Sequence, residues 1–88
     1  MARAPVARLG DPSSHGGTIV SASSDVFADG IGVARTGDLH SCPIPGHGTT
    51  PLTGSAIAKA DGARIVRVGD TAACGAAITA GSPKTSAG

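Results

Sequence analysis

The histidines and cysteines of this 88-residue sequence recur at a fixed distance from a repeated Gly-Asp pair. Four residues after three successive Gly-Asp pairs stand His15, Cys42 and Cys74. Imidazole nitrogen and thiolate sulfur are the ligands that zinc prefers in closed, four-coordinate sites. The spacing therefore indicates a metal site assembled from separate parts of the chain.

Each Gly-Asp pair ends a longer phrase of the form apolar-x-Arg-x-Gly-Asp, which occurs at Val6–Asp11, Val33–Asp38 and Ile65–Asp70. A chain that repeats one phrase along its whole length is built from related structural units. We expect one domain over residues 1–88. Its expected parts are units at 6–32, 33–64 and 65–83, and a frayed polar tail at 84–88.

The repeat spacing is uneven, because 27 residues separate the first two repeat glycines and 32 separate the second two. Aligning the units from their far ends, at Asp29 and Asp61, puts His15 opposite His47. Cys74 takes the same place in the third unit. The extra residues then fall within 39–46.

The expected ligands are therefore three equivalent residues, His15, His47 and Cys74, and a fourth from the inserted stretch. That stretch offers His40 and Cys42, which lie two apart and point to the same side of an extended segment. The spacing leaves the choice between them open. A closed set of four protein ligands leaves no position for water, so the ion is expected to be structural.

Composition explains why such a metal is needed. The sequence has no Trp or Tyr and a single Phe, so its core must consist of small side chains that remove little apolar area from water. Small domains of this kind need an added cross-link. No signal-peptide pattern follows Met1, so the cysteines are expected to meet a reducing cytoplasm, where metal binding is favoured over a disulfide.

The same composition disfavours other classes of protein. The net charge is +1 with no basic cluster, and the one aromatic residue provides no stacking platform, which disfavours a zinc-knuckle nucleic-acid binder. A small zinc enzyme is the other alternative, but all the acidic residues are Asp and each repeat Asp is explained as a turn residue. No apolar run approaches the ~20 residues of a membrane span.

The elements that position these ligands are expected to be short strands. Fourteen Gly and six Pro interrupt the chain, and alternating apolar runs occupy 6–9, 18–20, 31–34, 65–68 and 77–79. Asp29-Gly30 and Asp61-Gly62 indicate hairpin turns. The Ala-rich stretch 55–60 is interpreted as strand and turn rather than helix. The predicted fold class is all-β with pseudo-threefold repeats.

These phrases together resemble the PAAR-repeat proteins of the bacterial type VI secretion system. The resemblance covers residues 6–83 and rests on the repeated phrase, on Gly10-Asp11 followed by His15-Gly16-Gly17, on His40-x-Cys42-Pro43, and on Gly69-Asp70 followed by Cys74-Gly75. The Pro-Ala-Ala-Arg motif that names the family appears only in degraded form, as in Pro5-Val6-Ala7-Arg8.

The resemblance implies a small cone with one structural zinc near its apex. It implies no catalytic residues, and a function as the tip of a trimeric β-helical spike of the valine-glycine-repeat family, with one copy per trimer. Such a tip sharpens the spike for membrane puncturing, binds effectors non-covalently and is delivered by secretion into the extracellular space or the target cell. The family holds zinc with three His and one Cys, which favours His15, His40, His47 and Cys74 and leaves Cys42 as the spare.

Overall fold

The computed structural model describes residues 4–43, 46 and 48–87. This part of the chain contains no helix and ten short strands, so the predicted all-β class is confirmed. The strands are β1 Ala4–Pro5, β2 Thr18–Ile19, β3 Phe27–Ala28, β4 Ile31–Gly32, β5 Leu39–Ser41, β6 Thr49–Thr53, β7 Lys59–Ala60, β8 Ala63–Arg64, β9 Thr71–Ala72 and β10 Ser86–Ala87.

A closed triangle of backbone hydrogen bonds joins the three repeated phrases at the centre of the molecule. Ala7 N–H donates to the Val66 carbonyl (2.8 Å) and Val66 N–H donates to the Ala34 carbonyl (3.0 Å). Ala34 N–H donates back to the Ala7 carbonyl (2.9 Å), and all three residues are fully buried. The expected pseudo-threefold arrangement is therefore present in the backbone itself.

The repeated phrases are less regular than the predicted strands at 6–9, 31–34 and 65–68. They meet through isolated bridges, Val6 with Arg67, Arg8 with Val33 and Arg35 with Ile65. Three segments that converge on one axis each face two neighbours, so each can pair with either neighbour over one residue only. The predicted apolar runs are present, but their convergence on one axis prevents them from forming long β-ladders.

Two hairpins confirm the turns predicted at Asp-Gly. β3 pairs with β4 around Asp29-Gly30, and β7 pairs with β8 around Asp61-Gly62. Both residues of each turn have positive φ, 55° and 78° in the first and 52° and 82° in the second. Positive φ at both central positions defines the type I′ turn, which suits the twist of two-residue hairpins and favours Asp followed by Gly.

A third, equivalent pair of strands is formed by the two ends of the chain, which corrects the expectation of a frayed tail at 84–88. β10 pairs with β1, with Ala87 opposite Ala4, and Ala87 is buried. The Ser82 hydroxyl accepts hydrogen bonds from the Lys84 and Thr85 N–H groups, as the Ser23 hydroxyl does from the corresponding pair in the first unit. Small polar residues predict exposure, but here they repeat a turn already used in the first unit.

The largest sheet contains the insertion of the second unit. Its order is β2-β5-β6-β9, with antiparallel pairs throughout. The N–H of Gly10, Gly37 and Gly69 donates to the carbonyl of Ile19, Leu52 and Ile78 respectively. The two residues are nine positions apart in the first and third units and fifteen in the second, so the insertion has six residues and forms the β5–β6 hairpin.

The stretch 55–60 carries a compensating deletion. Ser23 N–H donates to the Val33 carbonyl and Ala56 N–H donates to the Ile65 carbonyl, so Ser23 corresponds to Ala56, 33 positions on. Asp29 corresponds to Asp61, only 32 positions on. One residue is therefore missing from the second unit after Ala56, and only Lys59–Ala60 of this stretch is strand.

The core has two layers stacked along the threefold axis. The first, which we call the hairpin layer, contains Val6, Ala28, Val33, Ala56, Ala60, Ile65 and Ala87. The second, which we call the metal layer, contains Ala7, Ile19, Ala34, Leu52, Val66, Ala72 and Ile78. Cys74 packs against the metal layer, so the group of His15, Cys42 and Cys74 lies at the end of the molecule away from the Asp-Gly hairpins.

Two arginines of the repeated phrase form ion pairs that link the Gly-Asp turn of their unit to its Asp-Gly hairpin. Arg35 Nε lies 2.9 Å from Asp38 Oδ2, and its Nη1 lies 2.9 Å from Asp61 Oδ2 in the hairpin turn. Arg8 makes the equivalent pairs with Asp11 and Asp29. Both arginines are therefore ion-paired at two aspartates each.

Candidate metal centre

His15 and Cys74 occupy the same position in two equivalent tight turns. In the first, Ser13 N–H donates to the Gly17 carbonyl and Gly16 N–H donates to the Ser13 carbonyl. The residues around Cys74 repeat both bonds, and Gly75 has the same left-handed backbone as Gly16, with φ of 93° and 81°. The turn requires a glycine after the ligand and presents the preceding side chain at the metal end.

His40 and Cys42 come from the inserted hairpin. His40 lies in β5, between Ile19 of β2 and Thr50 of β6, and is fully buried. Cys42 follows the strand, with its N–H bonded to the Gly48 carbonyl (3.0 Å). Because side chains alternate along an extended chain, residues two apart project to the same side. The insertion therefore delivers both side chains toward the turns of His15 and Cys74.

The structure brings His15, Cys42 and Cys74 together into one group. One ligand atom from each lies within 4.8 Å of the other two. His15 Nδ1 is 3.5 Å from Cys42 Sγ and 3.9 Å from Cys74 Sγ. Tetrahedral zinc with Zn–N of about 2.0 Å and Zn–S of about 2.3 Å separates N and S ligands by about 3.5 Å. The spacing of this triad fits a metal ion.

His40 lies beside the triad, with Nδ1 3.9 Å from Cys74 Sγ. Its other ring nitrogen, Nε2, lies 2.7 Å from the buried Ser13 hydroxyl. A metal-binding histidine usually has its second nitrogen engaged by such a partner, which fixes the tautomer and the ring orientation. Ser13 is a candidate positioning residue for His40 that the sequence pattern did not single out, although it stands two residues before His15.

The electrostatics of these groups favour the forms that bind metals. Burial lowers the pKa of His40 below its ordinary 6.5, and the nearby His15 lowers it further, so the neutral imidazole is favoured. The pKa of the Cys74 thiol lies below its ordinary 9.0, first through hydrogen bonding by the Thr50 side chain and then through the Ala76 backbone. Neutral imidazole and thiolate are the metal-binding states.

Gly17 lets the first unit pack directly beneath His40. A Cβ at this position would overlap the Ser41 carbonyl oxygen and approach His40 Nε2 to 2.7 Å. The second glycine of His15-Gly16-Gly17 therefore makes room for the histidine of another unit. Because this requirement is steric, it would hold with or without a bound ion.

Of the five candidate ligands, the structure groups His15, Cys42 and Cys74 and places His40 next to Cys74. His47 lies outside the described residues. The grouped triad is the set that stands four residues after each Gly-Asp pair. End-alignment paired His15 with His47, but that alignment crosses the one-residue deletion after Ala56 and is offset by one position at the level of Leu52.

A small all-β domain with three related units around one axis, and with a His/Cys cluster at one end that can hold a metal, is the class that fold and site define. Comparison with protein families matches residues 9–80 to the PAAR motif. This chain belongs to the PAAR-motif family, which is a structural family of the type VI secretion spike tip and not a family of enzymes. Comparison with curated proteins finds no match.

The family is a secreted component of the type VI secretion system. In the described part of this chain, no helix combines the length and the apolar character needed to cross a membrane.

Proposed function

We propose that this chain is the structural tip of a type VI secretion spike, seated as one copy on the blunt end of a trimeric β-helical spike protein of the valine-glycine-repeat family. The observation that carries this proposal is the triangle of hydrogen bonds between Ala7, Ala34 and Val66. It gives a single chain three related faces around one axis. A monomer of that form meets a threefold partner with matching symmetry.

The end of the molecule that contains the hairpin layer is proposed to contact the spike. Two Asp-Gly hairpins and the β1–β10 strand pair surround the axis there, and exposed apolar side chains lie on and beside them. Phe27 in β3 is 58% exposed and Ile57, just before β7, is 70% exposed. Large exposed apolar side chains are favoured in contacts with partners. The metal centre would then point away from the spike.

One structural zinc is proposed at the opposite end. The set implied by the family, His15, His40, His47 and Cys74, differs from the grouped triad in giving no role to Cys42. The fit of the triad to a tetrahedral ion supports a site in which Cys42 competes with a histidine for a place. Metal analysis of Cys42→Ser beside His40→Ala separates the two sets, because only loss of a true ligand lowers the zinc content.

The proposal has two further parts. The chain would be made in a reducing cytoplasm and delivered by the secretion apparatus. Because the family role is structural, the tip would act in piercing the target envelope and in attaching non-covalent effectors, and not through chemistry of its own.

Co-purification tests the proposal directly. The full chain, mixed with a trimeric β-helical spike protein, is expected to elute as a complex of one tip per trimer. Phe27→Asp combined with Ile57→Asp should abolish the complex, whereas Pro43→Asp, an exposed position near the metal centre, should leave it intact. Failure of the wild-type chain to bind, or three copies per trimer, would contradict the proposal.

A further inference from the structure

Cys42 is not part of the ligand set that the family implies, yet its sulfur lies within 4.8 Å of the Cys74 sulfur. Neither cysteine forms a disulfide in this structure. We infer that Cys42 and Cys74 are a dithiol modification site, which a small-molecule disulfide oxidises to an internal Cys42–Cys74 bond.

The two backbones are held in place for this reaction by one strand. Cys42 N–H is bonded to the Gly48 carbonyl, directly before β6. The turn that carries Cys74 is bonded to the same strand through Ala73 N–H and the Pro51 carbonyl (2.9 Å). Disulfide sulfurs are about 2.05 Å apart, so the sulfurs must approach by less than about 3 Å. The reaction requires rotation of the two short side chains toward each other.

The two cysteines differ in exposure, which gives the reaction a direction. Cys42 is buried, with 6% of its surface exposed, whereas Cys74 is partly exposed. A redox-responsive cysteine is accessible to the oxidant and has a resolving cysteine beside it. Cys74 is therefore the residue that meets the oxidant, and Cys42 is the residue that resolves the intermediate.

The reaction balances as two thiol–disulfide exchanges. Cys74 Sγ bonds to one sulfur of the small disulfide, whose S–S bond breaks and releases one small thiol. Cys42 Sγ then bonds to Cys74 Sγ, the mixed disulfide breaks, and the second small thiol leaves. The two protein thiols lose two electrons to the small disulfide, and their two protons end on the two released thiols.

Oxidation has a consequence for the metal, and this part rests on the proposed zinc site. Cys74 belongs to both ligand sets under consideration, and a sulfur in a disulfide is no longer a thiolate ligand. Closing the bond therefore removes at least one ligand and releases the ion. The chain would carry a metal cross-link in a reducing compartment and a covalent one, between the same two elements, in an oxidising compartment.

The test treats the reduced full chain, zinc-loaded and metal-free, with oxidised glutathione and follows intact mass. The wild-type chain is expected to lose two hydrogen atoms and to retain no glutathione. Cys42→Ser should stop at one glutathione on Cys74. Cys74→Ser should react more slowly than Cys42→Ser, because its remaining thiol is buried.

Two glutathione adducts on the wild-type chain, disulfide-linked dimers, or unreacted thiols would each overturn the inference. A dye that binds free zinc, read in the same reaction, should report one ion released for each disulfide formed. If the metal-free chain closes its disulfide but no form of the chain ever binds zinc, the zinc proposal fails and the dithiol stands. If zinc binds and the disulfide does not form, the dithiol fails alone.

Discussion

Cys74 lies at the meeting point of three parts of the molecule: its own turn, the inserted hairpin and the turn of the first unit. Its sulfur is 3.9 Å from both His15 Nδ1 and His40 Nδ1, and it packs against the metal layer of the core. It is therefore the residue whose loss should affect the site most.

Replacing Cys74 by Ser is expected to lower zinc content and thermal stability together, because a hydroxyl is a poor zinc ligand and the site would lose a residue common to both proposed sets. Metal analysis and a thermal melt of the same sample measure the two quantities. Ala73→Ser, at the exposed neighbouring position, is the matched control and should retain both. Full zinc occupancy in Cys74→Ser would show that the sulfur is not a ligand.

Asp38 provides a second residue-scale prediction, on pH. Burial raises its pKa, but hydrogen bonds from the Arg35 side chain and backbone and from the Ser21 hydroxyl outweigh this and hold the pKa below the ordinary 3.8. A carboxyl with a depressed pKa in the folded state stabilises the fold above its ordinary pKa. That stability is lost as the pH falls below 3.8 through the lower folded-state value.

Asp38→Asn should therefore cost about 2 kcal/mol of unfolding free energy at neutral pH, since it breaks charge-assisted bonds to a partly buried arginine. The cost should shrink as the pH falls below 3.8, because protonation removes the same charge from the wild-type protein. Denaturant melts across pH measure both effects. Ser24→Asn, at an exposed position without a titratable side chain, should leave the profile unchanged. A cost that stays constant down to the lowest pH would contradict the assignment to Asp38.

Among the elements, the two-residue strand β10 joins the end of the chain to its beginning. It pairs with β1, and the Thr85 carbonyl just before it accepts a hydrogen bond from Val6 N–H (3.0 Å). Ala87 belongs to the hairpin layer of the core, while Ser86 beside it faces outward. The end of the chain is thus a structural part of the third unit.

Ala87→Asp should destabilise the fold by about 2–4 kcal/mol, because it places a carboxylate in a layer made of small apolar side chains. Thr85→Asp, two residues earlier at an exposed position that bonds through its backbone, should change the unfolding free energy by less than about 0.5 kcal/mol. Denaturant melts of the two variants give the comparison. Equal, small effects would show that the tail contributes nothing to the fold in solution.

The elements also show how far the sequence could predict this fold. The Asp-Gly turns were predictable because the type I′ geometry depends on local backbone preference alone. The pairing of β10 with β1 was not, since Ser86 and Ala87 carry no apolar alternation and their partner lies at the other end of the chain. Local patterns report local geometry, and pairing between distant segments depends on the whole fold.

The candidate metal site was likewise predictable only in part. The spacing from Gly-Asp to His15, Cys42 and Cys74 predicted the grouped triad. The same Gly-Asp turn ends each repeated phrase, so it fixes the register of the residues that follow. The contact between Ser13 and His40 could not be predicted from the sequence, because the two residues belong to different units. His47 remains a prediction.

At the scale of the whole molecule, stability depends on how few large side chains the core contains. The largest fully buried apolar side chains are Ile19, Leu52 and Ile78, which are one equivalent position in each of the three units. Most of the remaining core is Ala and Val. A core of this size gains little from apolar burial, so a cross-link near one end of the axis should contribute a large share of the net stability.

Removing the metal from the reduced chain with a chelator should therefore lower the midpoint of thermal unfolding, and returning one equivalent of zinc should restore it. Oxidising the metal-free chain should raise the midpoint again. A disulfide between Cys42 and Cys74 closes a loop of about 30 residues, which in the chain-entropy account is worth about 3–4 kcal/mol.

The reduced, metal-free chain is thus expected to be the least stable of the three forms, because it is the only one without a metal or covalent cross-link between the inserted hairpin and the third unit. Calorimetry of the three forms, with the thiol count verified before each scan, measures the order. Cys42→Ser serves as the control, since it should lose the gain on oxidation. Equal midpoints for the metal-free reduced chain and the zinc-loaded chain would mean that the small core is sufficient without a cross-link.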